Sequence, residues 1–378
     1  MNSGPRGQVW AHVGQPFDRR AYDVVVIGAG MLGAGCAAAL REVVPGRSLL
    51  LLDEGGLPNE EGATLLGAGV WDAAGLEGHA TELAERSRAE LQRWLGDALT
   101  PRTLLDFGAE RTEAAEASAE VLQAFDDMAD WVDPEQLPHV TRREVLTYRP
   151  GELTLRLGQG AVAAGADLML NVRAELTPGG VRLHRLSVTN RHEIVVHETH
   201  DITVDQVIVA AGAAGPELIE SGLGLHTPHG RAYVQRPRLR QPSGPTSPLL
   251  RAGNLLLRPL NGEYALYLPP RSGDPHGYRP TSGRLTGVQV GLRRELLCDL
   301  LPRMDALPVL ATEALGVGRS LADIEGAWLG LPGGDPQHAP TAEQVTPGVW
   351  LLLGGSRTRG GADTLGLGLV RELAEQLA

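Results

Sequence analysis

The segment Tyr22-Asp23-Val24-Val25-Val26-Ile27-Gly28-Ala29-Gly30-Met31-Leu32-Gly33 decides the fold class of this 378-residue chain. An uninterrupted Val/Ile run is typical of a parallel strand that is buried on both faces. The three glycines have the spacing that allows a sharp turn, close approach to a pyrophosphate, and tight packing of a helix on the strand. The start of that helix directs free N–H groups and a partial positive charge towards the phosphate.

A second apolar run, residues 48–52, ends on Asp53-Glu54. Asp53 lies twenty residues after Gly33, where an acid can hydrogen-bond a ribose hydroxyl. Strand, glycines, Ala-rich helix, second strand and acid fall in order within about 30 residues, the span of a βαβ unit. The alternative, a Gly-rich turn in an ordinary α/β protein, leaves Asp53 unexplained. We therefore expect a bound dinucleotide. An acid at this position repels the 2′-phosphate of NADP, so FAD and NAD remain as candidates.

The composition excludes several classes of function. The chain has no lysine, since all 34 basic residues are arginines, and this excludes Schiff-base catalysis. A net charge of −12 disfavours a nucleic-acid partner. Cys36 and Cys298 have no metal or disulfide spacing, so we expect both to be packing residues of a cytoplasmic protein. No apolar run reaches the roughly 18–20 residues of a membrane span, and residues 1–19 are predicted to be a polar extension without a signal sequence.

Periodicity places further elements along the chain. Helical spacing of apolar residues is found in residues 79–99, 112–131, 153–170 and 293–304. Strand patterns are found in residues 181–188, 193–200, 206–211 and 285–290, the first three as a β-meander that feeds a buried strand. Asn261-Gly262, between two apolar runs, predicts a hairpin with a type I′ turn. His197 and His200 are explained by strand alternation, and because no third ligand stands at a suitable spacing we predict no metal site.

The C-terminal segment repeats the pattern of strand, Gly-rich turn and helix. Residues 349–353 run into Gly354-Gly355-Ser356-Arg357-Thr358-Arg359-Gly360-Gly361, and residues 365–377 form a last predicted helix. Four glycines and two arginines within eight residues favour a ligand or anion contact over a plain turn.

Together these segments resemble the D-amino-acid oxidase superfamily of FAD enzymes, which includes glycine oxidase and sarcosine oxidase-like proteins. The resemblance covers most of the chain from Tyr22 onward, and its most specific parts are the opening motif, the loop after Glu54, and Val207-Ile208-Val209-Ala210-Ala211-Gly212. It implies an α/β fold: a Rossmann-like FAD-binding domain with a β-meander, and an inserted antiparallel-sheet substrate domain. We expect the first in residues 20–75, 151–228 and 320–378, and the second in residues 76–150 and 229–319. Because an NAD dehydrogenase keeps its cofactor half contiguous, this layout favours FAD.

The resemblance also assigns residues to the non-covalently bound FAD. In that family the loop after the second strand runs beside the flavin, a backbone group in the meander holds the adenine, and the C-terminal Gly-rich turn faces the isoalloxazine. With the opening motif, this gives a predicted cofactor site formed by Gly28, Ala29, Gly30, Met31, Leu32, Gly33, Asp53, Glu54, Ala63, Thr64, Gly67, Gly69, Val70, Val172, Ala211, Gly212, Gly354, Gly355, Ser356, Arg357 and Gly360.

The substrate half of the chain departs from the family pattern. Trp328-Leu329-Gly330-Leu331-Pro332 has proline where many members carry an arginine that binds a substrate carboxylate. Gly354-Gly355-Ser356 replaces the usual Gly-His-Gly, and the lysine that activates oxygen in some members is missing.

The resemblance implies hydride transfer to FAD from the C–N bond of a small amine or amino acid. The candidates for substrate contact are Arg231, Arg357 and Arg359 for an anion, and Tyr264 or Tyr267 for an aromatic wall. Since the two tyrosines are three apart on a strand, only one of them can face the flavin. Two alternatives remain: an FAD-binding protein of the same fold that has lost amino-acid oxidase activity or acts on another substrate, and a dehydrogenase that uses an acceptor other than oxygen.

Overall fold

The computed structural model describes residues 6–107, 140–190, 193–268, 298, 300, 315–316, 325–335, 338–355 and 361–378. The helix predicted over residues 112–131 and the strand predicted over residues 285–290 lie outside these ranges, as does most of the helix predicted over residues 293–304.

The chain alternates strands with a smaller number of helices. The strands are β1 (Val9–Trp10), β2 (Ala21–Ile27), β3 (Leu49–Leu52), β4 (Val70–Trp71), β5 (Thr100–Phe107), β6 (Val140–Thr147), β7 (Asp167–Met169), β8 (Val172–Thr177), β9 (Gly180–Val188), β10 (Ile194–Val209), β11 (Gly230–Arg236), β12 (Arg238–Leu239), β13 (Leu249–Ala252), β14 (Leu255–Leu260), β15 (Glu263–Tyr267), β16 (Leu315–Gly316), β17 (Glu325–Leu331), β18 (Thr341–Thr346) and β19 (Val349–Leu353). The helices are α1 (Met31–Val43), α2 (His79–Leu95), α3 (Pro150–Ala163), α4 (Gly215–Leu223) and α5 (Ala362–Gln376), with 3-10 turns at Ala63–Leu66, Gly96–Ala98, Gly212–Ala214 and Pro332–Gly334.

The larger sheet has the strand order β1-β7-β3-β2-β10-β19-β18, and β8 and β9 continue from β10 as a meander. Along the main path the strands are parallel except for β18. β2 lies inside the sheet, with Val24 aligned to Leu49 of β3 and to Gln206 of β10. The parallel strands around β2 form the Rossmann-like sheet that the sequence predicts.

Each face of β2 is covered by a different layer. Val24 and Val26 pack in a core with side chains from α1, α2, α3 and α5. Val25 and Ile27 pack in a second core with side chains from α4 and the meander. Val24, Val25 and Val26 are completely buried, so the prediction of a strand buried on both faces is confirmed.

The second sheet has the order β16-β12-β15-β14-β13-β5-β6-β4 and is antiparallel except between β13 and β5. Asn261 and Gly262 join β14 to β15 with φ angles of 55° and 87°, as a type I′ turn requires. β11 and β17 form a separate two-stranded ribbon, which packs on the 3-10 turn at Ala63–Leu66.

Two predicted elements have different bounds in the structure. The helix expected over residues 153–170 ends at Ala163, Gly165 has a φ of 97°, and Asp167–Met169 forms β7. A short apolar run such as this fits a helix or a strand equally well, so periodicity could not separate them. The strands expected over residues 193–200 and 206–211 are one continuous strand, β10, with a bulge between Val196 and Glu198.

The N-terminal arm, residues 6–19, was expected to be a separate extension, but in the structure it is attached to the larger sheet. β1 pairs with β7, and the Gln8 N–H donates to the buried Asp167 at 2.8 Å. The guanidinium of Arg185, which is 2% exposed, donates to carbonyl oxygens of His12 and Gln15. The apolar residues of the arm were too few for a sequence pattern to show this attachment.

Helix α2, expected in the inserted domain, packs on α5 of the cofactor half. The Gly368 N–H donates to Ser87 Oγ at 2.7 Å, and a Cβ at Gly368 would lie 2.1 Å from the Leu83 carbonyl oxygen. An amphipathic pattern predicts that a helix has an apolar face, but it does not name the surface that this face contacts.

The two cysteines differ in environment. Cys36 is buried in α1, and burial raises the pKa of its thiol to about 12. Cys298 is exposed, so the prediction that it is a packing residue is wrong. Within the described ranges, every helix is too short or too polar to span a lipid bilayer.

Candidate functional site

A cavity of about 1090 Å³ lies at the carboxyl ends of the parallel strands. Its walls include Gly28 after β2, Asp53 after β3, Ala210 after β10 and Gly354 after β19. Ligands of open α/β sheets bind at this edge, where the chain crosses from one side of the sheet to the other. The volume exceeds that of most pockets for drug-sized ligands, as an extended dinucleotide requires.

The three glycines of the opening motif have separate structural roles. Gly28 has a φ of 103°, and a Cβ there would lie 2.5 Å from the Ala210 carbonyl oxygen. Gly30 is the N-cap of α1 and lines the cavity. A Cβ at Gly33 would lie 1.8 Å from the Gly28 carbonyl oxygen, so only glycine allows α1 to approach β2 this closely. These are the roles that the motif predicts for its glycines.

The N-terminus of α1 is open to the cavity. Gly30 supplies no side-chain cap, and Gly30, Met31 and Leu32 line the wall. Thr64 Oγ1 accepts one hydrogen bond, from the Met31 N–H at 3.1 Å. The remaining N–H groups of the first turn and the helix dipole form an anion site without any charged side chain. This cradle fits a pyrophosphate.

Asp53 at the end of β3 connects the glycine turn to the following loop. Its Oδ2 accepts from the Ala29 N–H at 2.6 Å, and its Oδ1 accepts from the Gly55 N–H and from Asn59 Nδ2, each at 2.8 Å. The residue is only 6% exposed, and burial raises the pKa of its carboxyl group. Asp53 therefore holds two cavity walls in position.

Glu54, the next residue, has a different environment. It lines the cavity with a half-exposed side chain, and its Oε1 accepts from Arg173 Nη2 at 2.7 Å and from Arg173 Nε at 3.2 Å. Arg173, on β8, also lines the cavity. The ion pair thus joins the end of β3 to the meander across one end of the cavity.

Among the described residues β8 pairs with β9 only, and residues 172–175 of β8 line the cavity. The Leu186 N–H donates to the Asn171 carbonyl, so residue 171 forms a hydrogen-bonded pair with β9 and the groups of Val172 point away from β9. The Val172 N–H donates to the Asp53 carbonyl at 3.0 Å, so it is not free for an adenine. The next backbone groups on that edge belong to Ala174, which also lines the cavity.

The opposite end of the cavity meets the N-terminus of α5. Gly67, Gly354, Gly355 and Asp363 line it. Asp363 Oδ2 accepts from the Gly69 N–H at 2.9 Å.

Two further residues hold the loop at this end in place. The Tyr148 hydroxyl donates to the Asp363 carbonyl at 2.9 Å, and burial raises the pKa of that hydroxyl. Arg258 is 8% exposed and donates to the carbonyl oxygens of Ala68, Gly69 and Tyr148, which ties the inserted sheet to this loop.

Most of the predicted cofactor residues lie at the cavity. Those that line it are Gly28, Gly30, Met31, Leu32, Asp53, Glu54, Ala63, Thr64, Gly67, Val172, Ala211, Gly212, Gly354 and Gly355. Those that do not line it are Ala29, Gly33, Gly69 and Val70. Ser356, Arg357, Arg359 and Gly360 lie outside the described residues.

The predicted substrate residues that the structure describes do not line the cavity. Arg231 lies 5.3 Å from the centre of the Trp328 ring and pairs with Glu217 at 3.5 Å, so its charge is already compensated. The Tyr264 hydroxyl donates to the Pro248 carbonyl at 3.1 Å, and Tyr267 packs on the opposite face of β15 in a core with Ala68 and Val70. Strand alternation predicted that the two tyrosine side chains point to opposite faces of the sheet, but it could not predict how far either of them lies from the cavity.

Sequence reasoning missed several residues of the site. Besides Asn59, Arg173, Ala174 and Asp363, the cavity is lined by Glu217 and Trp328. Asp363 could have been identified from the sequence, because it stands at the start of the last helix, directly after a Gly-rich turn. His197 and His200 contact Ser187 and Glu198, and no cluster suited to a metal ion is present in the described part of the chain.

Residues 23–375 match the protein family described as DAO, FAD dependent oxidoreductase. The chain belongs to the DAO family. The match includes strands of both large sheets, so this DAO-family protein is an FAD-dependent oxidoreductase. No curated protein sequence matches the chain.

Solved structures share the fold of this DAO-family protein. Glycine oxidase from Geobacillus kaustophilus has a TM-score of 0.64 at 18% identity, covering 94% of this chain and 95% of that one. L-proline dehydrogenase from P. horikoshii has a TM-score of 0.68 at 13% identity, covering 96% and 94%. Glycerol-3-phosphate dehydrogenase from Bacillus halodurans, complexed with FAD, has a TM-score of 0.63 at 17% identity, covering 94% and 63%.

Proposed function

We propose that this FAD-dependent oxidoreductase oxidises the C–N bond of a small amine or amino acid by hydride transfer to FAD. The observation that carries the proposal is that the DAO match extends through the inserted sheet, which forms the substrate side of the fold, as well as the cofactor half. Similar folds include a glycine oxidase and an L-proline dehydrogenase, both of which act on amino acids by name.

In this proposal the nucleotide part of FAD lies along the first half of the cavity. The open N-terminus of α1 holds the pyrophosphate, and an acid at the end of β3 binds the ribose. The edge of β8 offers the N–H and C=O of Ala174 to the adenine, in place of the Val172 groups expected from sequence.

The reactive end of the cofactor would then meet Gly67, Gly354 and Gly355, which allow the backbone to approach a flat ring closely. When bound, FAD accepts two electrons from the substrate. The protein has to hold the substrate carbon against the ring, keep the amine neutral, and exclude water. Trp328 and Leu329 give this part of the wall an apolar surface.

An anaerobic reduction experiment tests the proposal. Purified holoprotein is mixed without oxygen with glycine, sarcosine, L-proline and panels of L- and D-amino acids, and the visible flavin absorbance is followed. We expect at least one compound with an amine next to a C–H bond to bleach the flavin, while its N-acylated derivative, which has no basic amine, does not. If photoreduction bleaches the flavin but no amine does, C–N oxidation is refuted.

A second candidate function, oxidation of a substrate that is not an amino acid, is favoured by one observation. Pro332 is buried at the position where many related enzymes carry an arginine, and it has no charge to offer a carboxylate. A glycerol-3-phosphate dehydrogenase is among the similar folds. Bleaching by glycerol-3-phosphate or another alcohol in the same assay, with no response to amines, would establish this alternative. Peroxide formation on readmission of air would identify oxygen as an electron acceptor.

A further inference from the structure

The N-terminal arm lies before the part of the chain that matches the DAO family, which begins at residue 23. The arm nevertheless extends the larger sheet, because β1 pairs with β7 and covers the outer edge of that strand. The Trp10 carbonyl accepts from the Leu170 N–H at 2.9 Å, at the carboxyl end of β7. The carboxyl ends of the parallel strands form the edge at which the cavity lies, so the arm reaches the cavity from outside the family match.

Asn171 joins the arm to the cavity wall. It lines the cavity, and its Nδ2 donates to the Ala11 carbonyl at 2.9 Å. Its backbone N–H donates to the Gly55 carbonyl at 3.2 Å, and its carbonyl accepts from the Leu186 N–H at 2.8 Å. Its φ of 55° lies in the left-handed region, which asparagine adopts more readily than most residues. Three segments, namely the arm, the loop after β3 and β9, therefore meet at this one residue.

Two aromatic residues of the arm are part of the core behind the same wall. Trp10 and Phe17 are 5% and 7% exposed, and their rings pack edge to face with centroids 5.2 Å apart. They belong to the same hydrophobic core as Leu52 and Val172, both of which also line the cavity. Buried aromatic rings contribute much of the packing energy of a core. The arm therefore supports the wall by packing as well as by hydrogen bonding.

Arg185 on β9 fixes the arm to the meander. Its buried guanidinium donates to the carbonyl oxygens of His12 and Gln15 in the arm. Its carboxylate partner among the described residues is Glu198, at 3.3 Å. Arg185 is aligned with Val172 of β8, the strand that lines the cavity. Because a buried charge without acceptors is costly, the arm and this part of the meander hold each other in place.

We propose that the N-terminal arm positions the cavity wall that contacts the AMP part of FAD, and that it acts through Asn171. This inference rests on the proposed function, in which the nucleotide occupies this end of the cavity. Asn171 and Trp10 are positioning residues in this arrangement. The arm should leave the reactive end unchanged, since Gly67 and Gly354 belong to other segments.

An exchange experiment on the holoprotein tests the role of the arm. The protein is incubated with mixtures of FAD and an increasing excess of FMN, and the bound flavins are quantified after gel filtration. FMN has the same flavin ring and lacks the AMP part, so the preference for FAD over FMN reports on the nucleotide end alone. A change that only loosens the protein weakens the binding of both flavins and leaves this preference unchanged.

In Asn171→Gly we expect the preference for FAD to fall roughly 2- to 12-fold, the factor that corresponds to the loss of one neutral hydrogen bond. Glycine accepts the positive φ, so this variant removes the side-chain amide without straining the backbone. Asn254→Gly, the same substitution in the exposed turn between β13 and β14, is the matched control and should keep the wild-type preference. Trp10→Ala should also lower the preference, with recovery in Trp10→Phe.

A wild-type preference in Asn171→Gly, or an equal loss of both flavins in that variant, overturns the proposal. A wild-type preference in Trp10→Ala does the same. In these cases the unchanged protein still binds FAD, so the proposed function stands. Failure of the unchanged protein to bind FAD would instead refute the FAD site, and the role of the arm with it.

Discussion

Replacing Gly33 by alanine tests whether the close contact between α1 and β2 sets the affinity for FAD. The added Cβ would lie 1.8 Å from the Gly28 carbonyl oxygen and 3.2 Å from Ala210 Cβ, whereas real Cβ atoms essentially never come within 3.0 Å of another atom. The nearest atom is backbone, so no side-chain rotation can relieve the clash. Some other dinucleotide-binding folds have alanine at this position. A loss of FAD affinity in Gly33→Ala would therefore result from the close contact in this chain and not from a general requirement for glycine.

The size of the effect follows from the displacement. The two segments must separate by about 1 Å or more, because the interior is close-packed and has no space to absorb the methyl group. A shift of this size lengthens a hydrogen bond between the α1 N-terminus and the pyrophosphate beyond the normal 2.7–3.2 Å. Losing one bond to a charged group costs about 1.5–3 kcal/mol, so we expect the Kd of FAD to rise roughly 10- to 150-fold.

The assay is equilibrium binding of FAD, with thermal unfolding measured in parallel. Gly46→Ala is the matched control, because a Cβ at Gly46 meets nothing within 4 Å and its φ is not in the left-handed region. We expect the control to bind FAD as the wild type does. If Gly33→Ala binds FAD within threefold of the wild type, the close helix–strand contact does not set the geometry of the phosphate site.

Two further predictions concern the support of the site. Asp72 is buried and paired with Arg143 at 2.8 Å and Arg251 at 2.7 Å; burial opposes its ionisation, but the two arginines outweigh this and lower its pKa. Because the folded pKa is below the unfolded one, its stabilisation is complete above about pH 4 and declines as pH falls towards the folded pKa. Asp72→Asn should therefore cost about 3–5 kcal/mol in urea unfolding at pH 7 and about 1 kcal/mol less at pH 3. An equal cost at both pH values would contradict this. In Arg185→Met, we expect hydrogen exchange to accelerate in the N-terminal arm, and unchanged exchange there would show that this guanidinium does not hold it.

The opening strand, turn and helix could be predicted from sequence because their geometry depends on backbone constraints that leave clear residue patterns. Gly28 and Gly33 are required by contacts of a Cβ with main-chain atoms, and the Val24–Val26 run is required by burial on both faces. The hairpin at Asn261-Gly262 was predictable for the same reason, since its two positive φ angles favour those residues.

Features that depend on the choice of a packing partner could not be predicted in this way. The pattern of α2 shows an apolar face, but nothing in it selects α5 over the inserted sheet. The role of Asp53 depends on Asn59, six residues later, whose side chain has no pattern of its own. Likewise Tyr264 and Tyr267 are residue types that often form the wall of a ligand site, although both are buried on β15 and neither lines the cavity.

The position of Pro332 restricts where a substrate anion can bind. The turn that follows it is held by His229, whose Nδ1 accepts from the Gly333 N–H at 3.1 Å; the ring hydrogen is then on Nε2, which donates to Glu343 at 3.1 Å. Among the described residues that line the cavity, Arg173 is the arginine present, and it pairs with Glu54 at the end of the cavity that we propose for the nucleotide. An amino-acid carboxylate at the reactive end would therefore need a cation from another part of the chain. The sequence candidates for that contact, Arg357 and Arg359, remain predictions, while an uncharged amine would need no such cation.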